Sequence, residues 1–286
     1  MKTTTSECSC NFDFVASTGR TATTYIATSL DTIDGIAACH EGYRGSDKDS
    51  DPVLPQINLE NAQAYNSDAA ASQVVNEKRS ASEIKAALAL TGQQRLIDVA
   101  YYNSMIGMEL LQQLPDCRMI GIIRDCESFV RSCTTMTAED PLPVGWPDPE
   151  KELTAREKFI GMGRIRPRRG SEEKAEWQGW SAIRRNIWLW QETNLRLCEA
   201  KSVFPDRVSL VRFDTFQNNP EKFWKHLASS FQLPSTPSVA GSATTKAVNK
   251  KPFGYQVGPA EDWSPDEIAA QKISQNLIDE KASYDC

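Results

Sequence analysis

Histidine is almost missing from this chain: His40 and His226 are the two in 286 residues. An imidazole base therefore has two candidates. Paired cysteines are missing too. The eight cysteines, at 8, 10, 39, 117, 126, 133, 198 and 286, form no zinc-like set, and several fall inside expected strands or helices. Free thiols in a reducing compartment are the expectation, and Cys8-Ser9-Cys10 is too tight and isolated for a metal site. No metal is expected. No apolar run approaches a membrane span, and the first residues lack an apolar signal region, so the expected location is cytoplasmic with no membrane partner. A basic surplus is lacking as well. The formal charge of −6 argues against nucleic acid as the principal partner, because tracking phosphates needs a basic face. Any anion site must then be a local basic pocket in an acidic protein. The G-x-x-x-x-G-K-[ST] spacing of a nucleotide-binding P-loop is also absent.

What remains is ordinary for a globular chain, with 40% hydrophobic and 24% charged residues. The length suits one large α/β domain over 1–286 better than two small ones. Strands and helices alternate. A βα unit is expected over about 12–34, a second strand over 35–41 and a turn at Gly42-Tyr43-Arg44-Gly45. Residues 46–58 read as loop. One or two helices follow over 60–90, with Ser80-Ala81-Ser82-Glu83 as a cap. Arg95 to Ala100 is a third strand, and Asn103 to Leu114 an amphipathic helix turning Met105, Met108, Leu111 and Leu114 inward. This alternation implies a parallel sheet with helices on both faces. Residues 138–176 break the rhythm with Pro141, Pro143, Pro147 and Pro149 crowding the first part and then the basic run Arg164-Ile165-Arg166-Pro167-Arg168-Arg169; such a segment is a substrate-covering lid or a solvated insertion. A long helix is expected from about Trp177 to Lys201, with Trp180, Ile183, Ile187, Trp190 and Leu197 as core.

Two elements carry chemistry. The first is Phe14-Val15-Ala16-Ser17-Thr18-Gly19-Arg20-Thr21-Ala22-Thr23-Thr24, a short strand running through a hydroxyl-rich loop into a helix. Free N–H groups at a helix start favour anions, small residues allow close approach, and Arg20 adds a cationic fork. The second is the buried strand Cys117 to Ile123, which ends at Arg124-Asp125 and continues into a helix bearing Ser132, eight positions after Arg124. A helix folding back over the strand end could place both side chains on one phosphate.

Together these elements resemble the sulfotransferases that use 3′-phosphoadenosine 5′-phosphosulfate (PAPS) and release 3′-phosphoadenosine 5′-phosphate (PAP). Thr18 to Thr24 resembles that family's 5′-phosphosulfate loop, and Arg124 with Ser132 has the Arg-x7-Ser spacing of its 3′-phosphate motif. Val208 to Phe216 followed by Asn219-Pro220-Glu221 is similar to the late strand and helix start of bacterial members. Phe231-Gln232-Leu233-Pro234 resembles the end of that helix, and Trp263-Ser264-Pro265 a C-terminal signature. The resemblance implies a P-loop-like, three-layer αβα fold with a central parallel sheet. It assigns Thr18, Gly19, Arg20, Thr21, Ala22, Thr23, Thr24, Arg124 and Ser132 to the donor. Ala22 stands where glycine is usual, and the Arg-Lys-Gly element that closes over the 3′-phosphate is missing; Lys250 and Lys251, after Asn249, are its candidate substitutes.

Sulfuryl transfer needs positioned cations and a base. Arg20 is the expected stabiliser of the leaving phosphate. The histidine that cytosolic members carry after the third strand is absent here, where Ala100-Tyr101-Tyr102-Asn103 stands. Glu41, at the end of the second strand, matches the catalytic glutamate of other branches, with His40 as the alternative; neighbours on a strand face opposite sides, so one of them is expected to point inward. His226 reads as structural. Asp98 and Asp214 either orient substrate or support loops.

The acceptor is expected to be a small molecule with a hydroxyl, or else an amine. Asp47-Lys48-Asp49-Ser50-Asp51 would suit a cationic one, which leaves room for natural-product tailoring resembling the cyanobacterial sulfation of saxitoxin-type guanidinium alkaloids. Two other readings stand beside this one, a nucleotide-dependent kinase or hydrolase and a non-catalytic nucleotide-binding protein. A monomer or weak homodimer is expected.

Overall fold

Every residue of Phe12–Ser17 is buried, as a strand must be when layers cover both its faces. This is β1, the centre of the sheet in a computed structural model that describes residues 11–45, 49–57, 59–134, 164–237 and 257–286. The other strands are β2 (Ile36–His40), β3 (Tyr43–Arg44), β4 (Arg95–Ala100), β5 (Met119–Ile123) and β6 (Val208–Arg212), in the order β3-β2-β4-β1-β5-β6. All neighbours are parallel except β3, which turns back on β2 where a simple turn was expected. The chain leaves β1 for β2, returns to place β4 between them, then crosses to β5 on the far side of β1. Open α/β sheets bind ligands outside the carboxyl ends of strands where the winding reverses. Here those ends are Ser17, His40, Ala100 and Ile123.

Side-chain parity on β1 sorts the two faces. Phe12, Phe14 and Ala16 join the larger core, which packs against α2 (Leu59–Asn66), α3 (Asp68–Lys78), α4 (Ala81–Thr91), α5 (Asn103–Gln113), α6 (Cys126–Thr134), α8 (Ala182–Val203) and α11 (Pro265–Lys281). Between α6 and α8 lies the short α7 (Glu172–Glu176). Val15 faces a smaller core under α1 (Thr23–Leu30), α9 (Phe213–Asn218) and α10 (Pro220–Phe231). An aromatic cluster of Tyr25, Phe213, Phe216, Phe223 and Trp224 closes that side, with ring centroids 5.0 to 6.3 Å apart. On the opposite face a Cβ on Gly121 of β5 would sit 3.4 Å from Leu197 Cδ1 of α8, an ordinary contact, and 2.6 Å from Leu210 Cδ2 of the neighbouring β6.

Caps explain where the helices differ from expectation. Residues 59–91 form three helices, not one or two, because the Ser67 and Ser80 hydroxyls accept from Ala70 and Glu83 N–H and start new helices there. The long helix begins at Ala182 instead of near Trp177, since the Ser181 hydroxyl accepts from Arg184 N–H; Trp177–Gly179 is a 3-10 turn before it. Ser264 and Glu267 form a capping box on α11 with Pro265 in its first turn. The cysteines at 39, 117, 126, 133, 198 and 286 are free thiols; Cys8 and Cys10 lie outside the described residues.

At the amino end of the sheet, Asp13 is buried and paired with Arg95, while its Oδ1 accepts from Arg118 N–H at 2.8 Å. Burial raises its pKa from 3.8 to about 6, with Arg95 and the Arg118 N–H opposing. The folded state therefore holds a proton that the unfolded state has lost between those two values. This group's stabilising contribution is full below pH 4 and lost as the pH rises through about 6. Urea unfolding at pH 4 and pH 7 should show wild type losing of order 1–3 kcal/mol relative to Asp13→Asn on going to the higher pH. A gap between the two proteins that does not move with pH would refute this.

Candidate functional site

The loop after β1 hangs on one hydroxyl. Ser17 Oγ accepts from Gly19 N–H at 3.0 Å and from Thr21 Oγ1–H at 2.8 Å, and Ser17 is itself fully buried. The start of α5 fixes the strand ends beneath it: Ser104 Oγ donates to the Ser17 carbonyl at 2.8 Å, and Asn103 Nδ2 donates to the Val15 and Asp98 carbonyls. From this anchor the backbone bends sharply. Gly19, Arg20 and Ala22 have φ of 79°, 58° and 57°, while Thr21 between them stays out of the left-handed region. The change of hand from Arg20 through Thr21 to Ala22 can turn successive N–H groups toward a common concavity, the geometry of an anion nest. Ala22 is the N-cap of α1 and offers no side-chain oxygen to its first turn. The loop thus opens onto the positive end of a helix.

Two other strand ends converge on it. From β5, Arg124 Nη1 donates to the Arg20 carbonyl at 2.7 Å, its guanidinium lies 5.3 Å over the Phe213 ring, and its own carbonyl accepts from Trp190 Nε1–H at 2.7 Å. From α6, the buried Ser132 Oγ accepts from Arg20 Nε–H at 2.9 Å. Arg20 forms one cluster with Arg124 and Ser132, which lie 104 and 112 residues further along the chain. No carboxylate pairs with Arg20 among the described residues. From β2, His40 Nε2 lies 3.2 Å from Thr23 Oγ1 and 3.3 Å from Thr24 Oγ1.

Glu41 follows at φ 53°, in the tight connection to β3. Its charge is felt by Tyr101 and Tyr102 after β4. Tyr101 packs under the loop, where a Cβ on Gly19 would meet Tyr101 Cβ at 3.5 Å. Its pKa is pushed up to about 12 by burial, with Arg164 opposing and Glu41 adding to the rise.

The candidate residues of the first loop, together with His40, Arg124 and Ser132, are therefore brought into one crevice. Lys250 and Lys251 lie outside the described residues, as do 138–163 of the expected lid and 46–48 of the acidic segment. Asp98 points away from the crevice: it is fully buried with Arg79, at 2.9 Å, and Arg79 also donates to Tyr102 Oη at 2.9 Å. A buried pair of this kind, stripped of one partner, costs about 3–5 kcal/mol, so Asp98 supports the sheet. Asp214 is exposed in α9. His226 bonds Ser209 at 2.6 Å on the far side of the sheet, a structural position.

Ser17, Tyr101 and Arg164 were missed by the sequence reading. The signal for the first two was their position at carboxyl ends of adjacent central strands. Among the described residues no cluster of three or more His, Cys, Asp or Glu could hold a metal, and no helix is long and apolar enough to cross a membrane.

No family model matches the sequence, and no curated protein matches it. Solved structures similar to it include three sulfotransferases. One is a domain from the Synechococcus PCC 7002 olefin synthase, 13% identical over 96% of this chain and 95% of that one, with a TM-score of 0.49. The second is an enzyme from Alicyclobacillus acidocaldarius, 13% identical over 95% and 96%, at 0.44. The third is a domain from the curacin biosynthetic pathway, 14% identical over 79% and 75%, at 0.41.

Ala22 tests the loop geometry directly. A left-handed conformation costs an L-residue roughly 1–2 kcal/mol, and glycine escapes that cost while adding about 0.4–1 kcal/mol of unfolded-state entropy. Ala22→Gly should leave stability unchanged or raise the melting temperature by up to about 2–4 °C. A drop of several degrees in calorimetry would show that the loop does not hold this conformation.

Proposed function

We propose that this chain is a sulfotransferase that moves a sulfuryl group from PAPS to a hydroxyl, or an amine, of a small-molecule acceptor. One observation carries the reading: Arg124 and Ser132 are both joined to Arg20 of the loop, at 2.7 and 2.9 Å. The nest at Gly19 to Ala22, the open start of α1 and the Arg20 guanidinium, with no carboxylate partner among the described residues, suit an anionic donor with two separate phosphate positions. Thr21, Thr23 and Thr24 with the loop N–H groups would hold the phosphosulfate. Arg124 and Ser132 would hold the 3′-phosphate, and Arg20, bonded to Ser132, would stand between the two.

The donor supplies an activated sulfuryl group whose bond to the 5′-phosphate breaks as the acceptor oxygen bonds to sulfur. The protein must neutralise charge gathering on the departing phosphate and receive the acceptor's proton. Arg20 and the α1 dipole serve the first need. His40 and Glu41 are the candidates for the second. His40 holds Nε2 against the Thr23 and Thr24 hydroxyls, while Glu41 lies on the side of Tyr101. Glu41 keeps its place as the preferred base because the His40 imidazole is engaged with donor-loop hydroxyls.

Calorimetric titration with PAP, adenosine 5′-phosphate and ATP decides the donor. PAP should bind at least tenfold more tightly than adenosine 5′-phosphate, and Arg124→Ala should remove that advantage. Equal binding of all three, or a preference for magnesium-ATP, would refute the reading in favour of a kinase-like protein. With the donor established, Glu41→Gln should lower kcat by about 10²–10⁴ while PAP affinity holds. A larger loss in His40→Ala than in Glu41→Gln would reverse the assignment.

A further inference from the structure

We propose that Arg164 and Tyr101 form an anion-recognition subsite on the acceptor side of the crevice, selecting acceptors that carry a carboxylate or phosphate besides the group to be sulfated. The inference rests on the sulfotransferase reading and goes further by naming a substrate class. Arg164 opens the basic run that the sequence left between a lid and a solvated insertion. It is held in place by its neighbour: Ile165 is 1% exposed and packs into the core. Arg164 and Ile165 line a cavity of about 10 Å³ with Ser17, Thr18, Tyr101 and Leu189, so the segment abuts the loop itself.

The Arg164 guanidinium lies 5.6 Å over the Tyr101 ring. Among the described residues no carboxylate pairs with it, although Arg44, Arg79, Arg95, Arg131, Arg196 and Arg212 each have one. A half-buried guanidinium on an aromatic face, with no acid paired to it among the described residues, suits an oxyanion ligand. Tyr101 ties this cation to the chemistry, because it packs against Gly19 and feels the charges of both Arg164 and Glu41. An acceptor entering beside Tyr101 would therefore come under the charge of the Glu41 carboxylate and of the guanidinium that lies over the ring. The first suits the hydroxyl that must lose a proton, and the second suits an anionic substituent.

Arg20 and Arg124 are already joined to Ser132 and to the loop backbone. Arg164 is thus a cation in excess of what the donor requires. The cationic acceptor expected from Asp47 to Asp51 rests on a segment that is partly outside the described residues, and its described acids Asp49 and Asp51 are exposed.

The test uses 6-hydroxyhexanoate, its methyl ester and 6-aminohexan-1-ol, which differ at the end remote from the hydroxyl. PAP binding by wild type is measured first; its absence would sink the sulfotransferase reading. The subsite is then read separately, by titrating the PAP-free protein with the acid and the ester. Wild type should bind the acid at least tenfold more tightly than the ester. Arg164→Gln should bring the two within threefold with PAP affinity unchanged, and Arg164→Lys should keep part of the preference. Transfer from PAPS should rank acid above ester above amine in wild type, and Arg164→Gln should flatten that ranking. Equal binding of acid and ester by wild type, no binding of the acid, or preference for the amine overturns the proposal. A tenfold or greater loss of PAP affinity in Arg164→Gln also overturns it, placing Arg164 in the donor site.

Discussion

The bond from Arg124 Nη1 to the Arg20 carbonyl joins the two halves of the molecule's chemistry. A carbonyl can accept from the end of β5 only if the loop after β1 turns it that way. Positive φ at Gly19, Arg20 and Ala22 does the turning. For two of these residues the conformation is unfavourable by roughly 1–2 kcal/mol each, and the surrounding bonds offset that cost. Ser17 Oγ holds Gly19 and Thr21 from below. Arg124 holds Arg20 from the side, and its own carbonyl is held by Trp190 of α8. The strain and the bonds that contain it sit where an anion would bind.

That anchoring explains why the two covers of the sheet are so unequal. The smaller core carries α1, whose N-terminus forms the far wall of the nest, and the aromatic cluster under Arg124. Phe213 serves both purposes, as a buried side chain and as the face under the guanidinium. The larger core carries α8, which packs Leu197 against β5 at Gly121 and also delivers the Trp190 bond. Packing and site geometry are therefore not separable at β5. A shift of α8 away from the sheet would release the Arg124 carbonyl and, through it, the loop.

Much of the fold was legible because strands that are buried on both faces read as apolar runs, and helices between them show their own period. Phe12 to Ser17, Arg95 to Ala100 and Met119 to Ile123 are strands within a residue or two of expectation. The Arg124 to Ser132 interval was legible for a different reason: strand-end and helix spacing is local geometry. What could not be read was set by contacts distant in sequence. Nothing near Arg20 announces a left-handed φ, since the residue would prefer another conformation if Arg124 and Ser132 were not there. The Ser80 cap was legible, but Ser67, which starts the additional helix over 59–91, looks like other serines of that stretch until tertiary packing chooses.

Tyr101 and Arg164 show the same limit from the other direction. In sequence, Tyr101 marks a place where a familiar histidine is missing, and Arg164 is one charge in a basic run. In space the ring fills the floor under Gly19, and the guanidinium covers that ring. An acidic protein cannot attract an anion by its overall field, so the attraction must come from cations held close to the site and kept from neighbouring acids. Six of the described arginines fail that condition because they pair with Asp or Glu. Arg20 and Arg164 meet it, one at each side of the loop. The position of these two guanidiniums, more than their number, is what the proposed anion chemistry rests on.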